Sequence, residues 1–408
     1  MNLLIGIDWG QEHHHVYFMN PNGAQLASFE IAHAAEGFAE LDDKRAKLGV
    51  PPTECLVAVE TAHNLLVDFL WSRQYIVYVI ATTVVKGSQG RITNSGASSD
   101  ARSAYLLADL LRTERKRFLP WLPDAPLIWQ MRAKLSLIEA LRRDINRWSN
   151  RLRAVLLRYY PQMVGLFSKL TTQIGLQCIS AYPTPQVIAE LDTEAWTCFC
   201  RQHRYTRMDR ITETYASLQA PVPQAAPAAV SAYQGEAVFL ARLLLSMVQR
   251  RAQEIRELGA LFKQHPDHAI FASLPGARDL LGPSLLVKFG DHRERFPSPA
   301  GPQALAGTCP ITVSSGKSKH VFFRRSCDRD FRRIVHQFAM ASCRKSFWAQ
   351  MYWREVYARS GRKNHAYRCL ANRWLAIIWK LWYTRQPYDE QYHLRQRQLR
   401  RKPRNTKS

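Results

Sequence analysis

The stretch LLIGIDWG, residues 3–10, is an apolar run of strand length that ends on a carboxylate, Asp8. A second run of the same kind, CLVAVE at residues 55–60, ends on Glu60. If the two strands are neighbours, Asp8 and Glu60 repel each other unless a cation lies between them. Magnesium takes oxygen ligands from one or two carboxylates together with phosphate, so the pair predicts a Mg²⁺ site at the edge of a sheet. The alternative is that each acid simply ends a strand at the surface.

The rest of the first 120 residues predicts an α/β domain around these two runs. The sequence NPNG at 20–23 is typical of a hairpin turn. From the spacing of apolar residues we predict strands at 3–7, 16–19, 25–31, 56–59 and 75–80 and helices at 35–48, 62–73 and 101–113. The resulting order, β-β-β-α-β-α-β-α, is that of the ribonuclease H-like fold, in which an antiparallel hairpin leads into parallel strands.

A third acid precedes the last of these helices. The sequence SSD at 98–100 opens the helical run, so Ser98 or Ser99 is expected to cap the helix and Asp100 to lie in or next to its first turn. An acid at this position also suits the positive end of the helix dipole. Asp100 is therefore either a third metal ligand or a purely structural residue.

The charge balance is strongly basic. The 408 residues contain 57 Lys and Arg against 33 Asp and Glu, a formal net charge of +24. An excess of this size favours nucleic acid as a partner over a generic basic protein or a membrane-surface protein. No run approaches the roughly 18 apolar residues of a membrane span, and no secretory signal opens the sequence. We therefore expect a cytoplasmic protein without a membrane partner, whose eight mostly isolated cysteines are free thiols.

A helical spacer is predicted after the prolines at 120, 123 and 126. From Met131 to Leu156 apolar residues recur at steps of three and four, which is typical of a coiled-coil-like seam. A matching helix is predicted at 236–262, and the pair either folds back as an antiparallel hairpin or dimerises. Its arginines form either a solvated face or a track for phosphates. Between the two helices, Trp196 and Phe199 suggest a small packed subdomain.

The sequence ASLPGA at 272–277, followed by an apolar run at 279–288, looks like half of a helix-hairpin-helix element. In that element a glycine-bearing turn presents backbone N–H groups to a phosphate. Gly276 is the candidate glycine. The usual second glycine is replaced by Arg278, whose side chain can contact phosphate itself.

A candidate nucleophile lies in the run AGTCPITVSSGKS at 306–318. A serine hydroxyl attacks phosphorus only when it is activated. Lys317 and Lys319 can neutralise the phosphate, and Arg324 and Arg325 extend the basic surface. Taken alone, SSGK is more often a flexible turn than a catalytic site, and the glycine spacing of a P-loop is absent.

Several segments together resemble the insertion sequence 110 family of transposases, which is related to the Piv/MooV DNA invertases. The segments are GIDWG at 6–10, VAVETAH at 57–63, SDARSAYLLADLLRT at 99–113 and the whole of 268–390. The resemblance implies a RuvC-like N-terminal domain in which Asp8, Glu60 and Asp100 hold Mg²⁺. It also implies that Ser315, directly before Gly-Lys, is the nucleophile, with Ser314 as the near alternative.

One position departs from the family pattern. The third and fourth acids of the family fall as D-x-x-D at the start of the closing helix, and the fourth position here is Ser103. Acids at i and i+3 share one helix face, whereas Asp109 and Glu114 are too far round or along the helix to replace the missing acid. Either three acids suffice, or Ser103 belongs to the metal site through a water, or this copy is impaired.

The resemblance extends to organisation and activity. We predict a RuvC-like domain at 1–120, a helical coiled-coil spacer with a small insertion at 121–265, a mostly helical transposase domain at 266–390, and a basic, disordered tail at 391–408. Within the transposase domain, the chain after Ser315 is expected to be helical and basic.

The resemblance implies excision and integration of an insertion sequence in double-stranded DNA, guided by a bridge RNA, through a phosphoserine intermediate. It further implies a homodimer or homotetramer in the bacterial cytoplasm, associated with the nucleoid. The alternatives are a metal-dependent nuclease or resolvase that uses water, and a non-catalytic nucleic-acid-binding relative.

Overall fold

The computed structural model describes residues 3–62, 64–91, 99–221, 223–316 and 318–401. The chain forms two compact units, which divide between Asp124 and Ala125. The first unit is a mixed α/β domain and the second is mostly helical. The finer division into spacer, transposase domain and tail stays a prediction. None of the described helices is long and apolar enough to cross a membrane.

A five-stranded mixed sheet forms the centre of the first unit. Its strands are β1 Leu3–Trp9, β2 His13–Met19, β3 Gln25–Ala32, β4 Cys55–Val59 and β5 Ile76–Val79. They lie in the order β3-β2-β1-β4-β5, with β2 antiparallel to β1 and β3, and β4 parallel to β1 and β5. The predicted arrangement, an antiparallel hairpin that leads into parallel strands, is confirmed.

Helices cover both faces of this sheet. They are α1 Ala35–Lys47, α2 Leu65–Ser72, α3 Thr82–Ser88 and α4 Asp100–Glu114. Ile5 and Val57 belong to the core on one face, and Leu4 and Ala58 belong to the core that includes α4 on the other. Because both faces are buried, the central strands are continuous apolar runs rather than alternating ones. The second helix begins three residues later than predicted because Asn64 caps it.

Gly6 allows α4 to approach the central strand closely. A methyl group on Gly6 would lie 1.9 Å from the carbonyl oxygen of Ala104 and 2.7 Å from the backbone nitrogen of Ala108. A larger residue would therefore displace the helix or the strand. Since Ala104 directly follows Ser103, this contact holds the first turn of α4 near the C-terminal end of β1.

Two long helices and a group of short ones open the second unit. They are α5 Pro126–Tyr159, α6 Gln162–Gly165, α7 Gln173–Ala181, α8 Pro185–Ala189, α9 Thr193–Gln202, α10 Ile211–Gln219 and α11 Pro227–Gln264. The ion pairs Lys134–Glu254 and Arg151–Glu236 join α5 to α11 in opposite directions. The two long helices thus form the antiparallel hairpin that was one of the predicted alternatives.

The short helices α6 to α10 form a core of their own with the adjoining ends of the long helices. Trp196 is fully buried, donates a hydrogen bond to Thr214 at 3.1 Å, and stacks on Phe199 with 5.6 Å between ring centroids. The packed cluster suggested by Trp196 and Phe199 is therefore present. We call residues 160–226 the inserted subdomain.

The remainder of the chain packs around one central helix. Its elements are α12 His268–Ala272, α13 Arg278–Phe289, α14 Ala300–Leu305, β6 Ile311–Ser315, β7 Ser318–Phe322, α15 Arg329–Ser342, α16 Phe347–Ser360, α17 Lys363–Thr384 and α18 Glu390–Arg401. Trp374 and Trp382 on α17 are fully buried, and their indole N–H groups donate to Ser342 and to the Gly290 carbonyl. These tryptophans are core residues.

Two predictions for this region are wrong. The chain after Ser315 forms the antiparallel strand β7 before any helix, because β-branched and aromatic residues flank a tight turn at Gly316. The segment expected to be a disordered tail is helical over Glu390–Arg401. Glu390 accepts hydrogen bonds from Ser346 and Tyr388, at 3.0 and 2.7 Å, and these contacts order the start of α18.

Candidate functional site

The C-terminal ends of β1 and β4 carry the first two acids. Ile7 is the register partner of Val59 in this parallel pair, so Asp8 and Glu60 are the next residues along each strand. Both are half-buried. The condition for the predicted site, that the two strands are neighbours, therefore holds, and it sets the two carboxylates side by side at one edge of the sheet.

The first turn of α4 brings the third acid and the serine to the same edge. Ser99 caps the helix, its Oγ accepting a hydrogen bond from the Arg102 backbone nitrogen at 3.4 Å, and Asp100 is the first helical residue. Ser98, the other predicted cap, lies outside the described residues. Three residues further on, the Ser103 hydroxyl donates a hydrogen bond to the Asp8 carboxylate.

The pKa of the Asp8 carboxyl is raised to about 6. Burial is the largest cause, and the negative charges of Glu60 and Asp100 add to it. The hydrogen bonds from Ser103 and from the backbone of Trp9 oppose the rise, because they stabilise the ionised form. Asp8 therefore interacts with both other acids, and the set Asp8, Glu60, Asp100 and Ser103 is called the acidic cluster below.

The acidic cluster fits a hard divalent cation by its chemistry, since its donors are carboxylate and hydroxyl oxygens. The uncompensated negative charge that raises the pKa of Asp8 is what a cation would neutralise. The side chains do not form a finished cage. Within the described residues, no three His, Cys, Asp or Glu side chains lie close enough together to hold a metal ion. Ligation by all three carboxylates requires them to move closer.

The other acids of α4 are engaged elsewhere. Asp109 is buried and accepts two hydrogen bonds from the Arg112 guanidinium, at 3.0 and 2.6 Å. Glu114 forms an ion pair with Arg117. Neither side chain takes the place of the missing fourth acid, in agreement with the geometry of the helix.

Ser315 lies at the end of β6, next to the tip of an exposed two-stranded hairpin. Gly316 occupies the turn with a φ of +56°, and the Ser318 hydroxyl donates to the Ser315 carbonyl oxygen at 2.9 Å. Ser314 pairs with Lys319 across the ladder, and Ser315 pairs with Ser318. Because directly opposite residues share a face, Lys319 lies on the face of Ser314. The choice between the two serines stays open.

An aromatic residue that the sequence patterns did not single out follows the hairpin. Phe323 lies between two guanidinium groups, with Arg332 at 4.4 Å and Arg368 at 4.8 Å from its ring centroid. Arg332 also donates hydrogen bonds to the carbonyl oxygens of Ala306 and Arg324. The only signal in the sequence is that Phe323 directly follows Phe322, the last residue of β7, so that two adjacent phenylalanines stand where the strand ends.

Other predicted nucleic-acid contacts lie at and beyond the hairpin. Lys319 and Arg325 are exposed, and Arg324 is half-buried. Lys317 lies outside the described residues. Of these residues, Lys319 supplies positive charge next to Ser314, its partner across the ladder.

Gly276 and Arg278 lie at the turn into α13, where they line a cavity of about 360 Å³. Gly276 has a φ of +81°, and a methyl group there would lie 3.0 Å from the backbone of Ala341, so a glycine is required. Arg344 and Lys345 line the same cavity. The turn that looks like half of a helix-hairpin-helix therefore opens on a basic concavity, which suits a phosphate.

Two family models match separate parts of the chain. A transposase model of the DEDD type of IS110 matches residues 5–161, and the transposase model of the IS116/IS110/IS902 family matches residues 268–354. The first covers β1 from Ile5 onward, the other four strands of the sheet and α5, and the second covers the serine hairpin.

Individual relatives, two of them matched over nearly their full length, agree with these matches. The chain is 28% identical over 404 residues to a Streptomyces coelicolor protein named as a mini-circle transposase for IS117, and the match covers 96% of each chain. It is 22% identical to the 43.6 kDa protein of insertion element IS110 of the same species, over 93% of this chain and 94% of that protein. A Sinorhizobium fredii protein named as a transposase is 29% identical over 50% of this chain and 57% of its own length.

A DNA transposase is therefore the class of protein that the α/β unit and the serine-bearing domain define. The chain belongs to the IS110 family of transposases, so its activity is DNA transposition and recombination. A DEDD domain suggests a divalent metal, and the oxygen donors of the acidic cluster fit that expectation.

Proposed function

We propose that this transposase cuts and joins DNA by means of Ser315 and a Mg²⁺-dependent acidic cluster in a RuvC-like domain. The observation that carries the proposal is the interaction of Asp8 with Glu60 and Asp100, together with the hydrogen bond from Ser103. Carboxylates of like charge held together at half-buried positions are typical of metal and catalytic sites, because their repulsion destabilises the fold unless a bound cation or the reaction makes use of it.

Asp8, Glu60, Asp100 and Ser103 would hold the ion. When bound, Mg²⁺ supplies charge neutralisation for the scissile phosphodiester and for the oxygens that attack and leave. The chain supplies orientation. The sheet positions Asp8 and Glu60 at the ends of neighbouring strands, and the capped helix α4 positions Asp100, so that the three carboxylates start near one another and move closer when the ion binds.

Ser315 is the proposed nucleophile. Its Oγ loses a proton and attacks phosphorus, the Oγ–P bond forms, and the bond from phosphorus to one deoxyribose oxygen breaks as that oxygen takes up a proton. The product is a phosphoserine intermediate, and the free hydroxyl of the joining strand reverses the step and releases Ser315. Ser314 is the alternative, since Lys319 lies on its face of the hairpin.

Nucleic acid supplies the choice of sites. The net charge of +24 and the basic concavity at Gly276 and Arg278 suit the DNA backbone. We propose that a bridge RNA selects donor and target, and that the protein works as a homodimer or homotetramer at the bacterial nucleoid, with the acids of one protomer meeting Ser315 of another. The domain boundaries after residues 120, 265 and 390 are part of the same proposal.

An adduct assay tests the nucleophile. The protein is incubated with RNA, Mg²⁺ and cognate DNA, denatured, and run on a gel that separates covalent protein–DNA complexes. We expect adducts with the wild type and with Ser314→Ala, and none with Ser315→Ala. Adducts that disappear only in Ser314→Ala would move the nucleophile by one residue.

The same assay separates the other candidate functions. Cleavage without an adduct would favour a metal-dependent nuclease or resolvase in which water attacks. DNA binding without either product would favour a non-catalytic relative, which the serine at position 103 makes worth testing. Asp8→Asn is the matched variant for the acidic cluster, and we expect it to bind DNA but not to cut it.

A further inference from the structure

The inserted subdomain contains a cavity of about 580 Å³ that the proposed chemistry does not use. It lies between the start of α7 and the segment that connects α9 to α10. A volume of this size is typical of sites for small organic ligands and exceeds what one nucleotide needs.

The floor of the cavity is apolar and partly aromatic. Leu166, Phe167 and Ile174 line it and are buried. The Tyr205 ring also lines it and meets the Phe167 ring edge to face, with 5.7 Å between centroids. A flat aromatic ligand would find contacts there that water does not supply.

The rim is polar and basic. Amide side chains on both walls, Gln173 and Gln202, can donate and accept hydrogen bonds. Arg204, Arg207 and Arg210 line the rim, and no carboxylate does.

Two of these arginines have acidic partners outside the lining. Arg207 pairs with Asp209 at 3.3 Å, and Arg210 pairs with Glu213. All four side chains are largely exposed, and such pairs contribute little stability, so a phosphate can compete for the guanidinium groups. For Arg204 the structure gives no side-chain hydrogen bond or ion pair within the described residues.

Arg204 has an unusual backbone conformation. Its φ is +52°, at the position after α9 where glycine is usual. A side chain in this conformation costs stability, and such residues are found preferentially at binding sites. In this conformation Arg204 is exposed and lines the cavity.

We propose that this cavity binds one nucleotide of a single-stranded nucleic acid, with the base against Phe167 and Tyr205 and the phosphate on Arg204 and Arg207. The inference rests on the proposed use of an RNA together with DNA. Stacking and backbone charge, rather than base-edge readout, would supply most of the affinity. Single-stranded RNA and an unpaired DNA strand share this chemistry.

Binding of labelled oligonucleotides to the full-length protein tests the proposal. The probes are an RNA and a DNA of about ten nucleotides, which is within the usual site size, and a DNA duplex of the same sequence. The test variant is Arg204→Gly, which removes the side chain and relaxes the backbone. Arg385→Gly is the matched control, because Arg385 is also exposed, has a φ of +55° and ends a helix far along the chain.

We expect Arg204→Gly to weaken single-strand binding by about five-fold or more, on the scale of a lost stacking or phosphate contact, and to leave duplex binding within about two-fold. Arg385→Gly should change neither. Whichever single strand loses more affinity identifies the natural source of the nucleotide. Unchanged single-strand binding in Arg204→Gly, or an equal loss in Arg385→Gly, would overturn the proposal.

Two further readouts separate this inference from the proposed chemistry. A photoreactive base in the single strand should crosslink to peptides from 165–177 or 202–210, and crosslinks confined to other segments would contradict the proposal. If Ser315→Ala forms no covalent DNA adduct but still crosslinks to the single strand, the result tests the proposed chemistry and leaves the cavity proposal unaffected. If Arg204→Gly still forms adducts on pre-formed substrates but no longer crosslinks to the single strand, the result tests the cavity proposal and leaves the proposed chemistry unaffected.

Discussion

The Ser103 hydroxyl donates a hydrogen bond to the Asp8 carboxylate and so connects the first turn of α4 to the end of the central strand. It occupies the position at which the family pattern has a fourth acid. The hydrogen bond lowers the pKa of Asp8, whereas an acid at the same position would raise it further in the absence of a cation. Compared with the family pattern, Ser103 therefore replaces a negative charge in the acidic cluster with a neutral hydrogen-bond donor.

The first prediction concerns that exchange. Ser103→Asp should preserve or raise strand-transfer activity in Mg²⁺. Without a divalent ion the variant should unfold at a lower temperature than the wild type, because a fourth carboxylate adds repulsion, and added Mg²⁺ should raise its unfolding temperature by more. Thermal unfolding with and without Mg²⁺, beside a strand-transfer assay, measures both. A clear loss of activity would remove position 103 from the metal site.

The second prediction concerns the contact between α4 and β1. Gly6→Ala places a methyl group 1.9 Å from the Ala104 carbonyl oxygen, so we expect a loss of about 1–3 kcal/mol in the free energy of unfolding of the first unit. Urea unfolding monitors it. Gly87→Ala in α3 is the control, because no atom lies within 4 Å of the added methyl group, and it should be neutral or stabilising by up to about 1 kcal/mol. Equal effects would mean that α4 is not held by this contact.

The third prediction concerns pH. His14 is fully buried, its Nδ1 accepts from the Gly10 backbone nitrogen at 3.2 Å, and its Nε2 is 2.8 Å from His33 Nδ1. Burial, followed by the charges of His33 and His13, lowers the pKa of His14 to about 4. Because the unfolded state binds the proton more tightly, His14 contributes stability above its unfolded pKa of about 6.5, and this contribution is lost as pH falls towards 4.

Between about pH 7 and about pH 4.5 the wild type should therefore lose roughly 2–3 kcal/mol in free energy of unfolding relative to His14→Gln. The difference between the two proteins is the measurement, since Asp8, whose pKa is raised, contributes with the opposite sign in both. His15→Gln, on the same strand, is the control, because His15 is not among the causes of the shift in the pKa of His14. The same pH dependence in His14→Gln and wild type would refute a buried neutral histidine.

The fourth prediction concerns phosphate contacts near the hairpin. A double variant, Lys319→Gln with Arg325→Gln, should weaken duplex DNA binding and reduce the slope of log affinity against log salt by about 2, since each lost phosphate contact removes about 0.9. Lys47→Gln on the exposed side of α1 is the control and should leave the slope unchanged. The affinity of each variant for duplex DNA, measured across a range of salt concentrations, gives the two slopes to be compared. An unaltered slope in the double variant would exclude these residues from the DNA contact.

The patterns that predicted correctly were those set by local chemistry. The apolar runs at β1 and β4 predicted two strands, because strands buried on both faces need continuous apolar sequence. Ser99 was one of the two predicted caps of α4, and capping is also local, since the side chain satisfies a backbone N–H of its own helix. The long helices followed from apolar steps of three and four.

The failures lie where distant residues decide. The start of α18 is ordered by Ser346 and by the ring of Trp348, whose centroid lies 4.4 Å from that of the tilted His393 ring. Neither contact is visible in a sequence rich in arginine. The hairpin after Ser315 was missed because its short strands are exposed and carry basic residues that equally suit a helix.

The sequence by itself determined the candidate site residues and the strand or helix of Asp8, Glu60 and Asp100, because strand length, capping and residue type are local properties. Only the tertiary structure decided that Ser103 reaches Asp8, since this depends on a glycine at position 6 that admits α4 to the sheet. The tertiary structure also decided that Arg204 lines a cavity with Phe167, because α7 and the end of α9 meet only when the inserted subdomain packs around its buried core. Such proximity is a consequence of packing between elements, which no spacing in the sequence encodes.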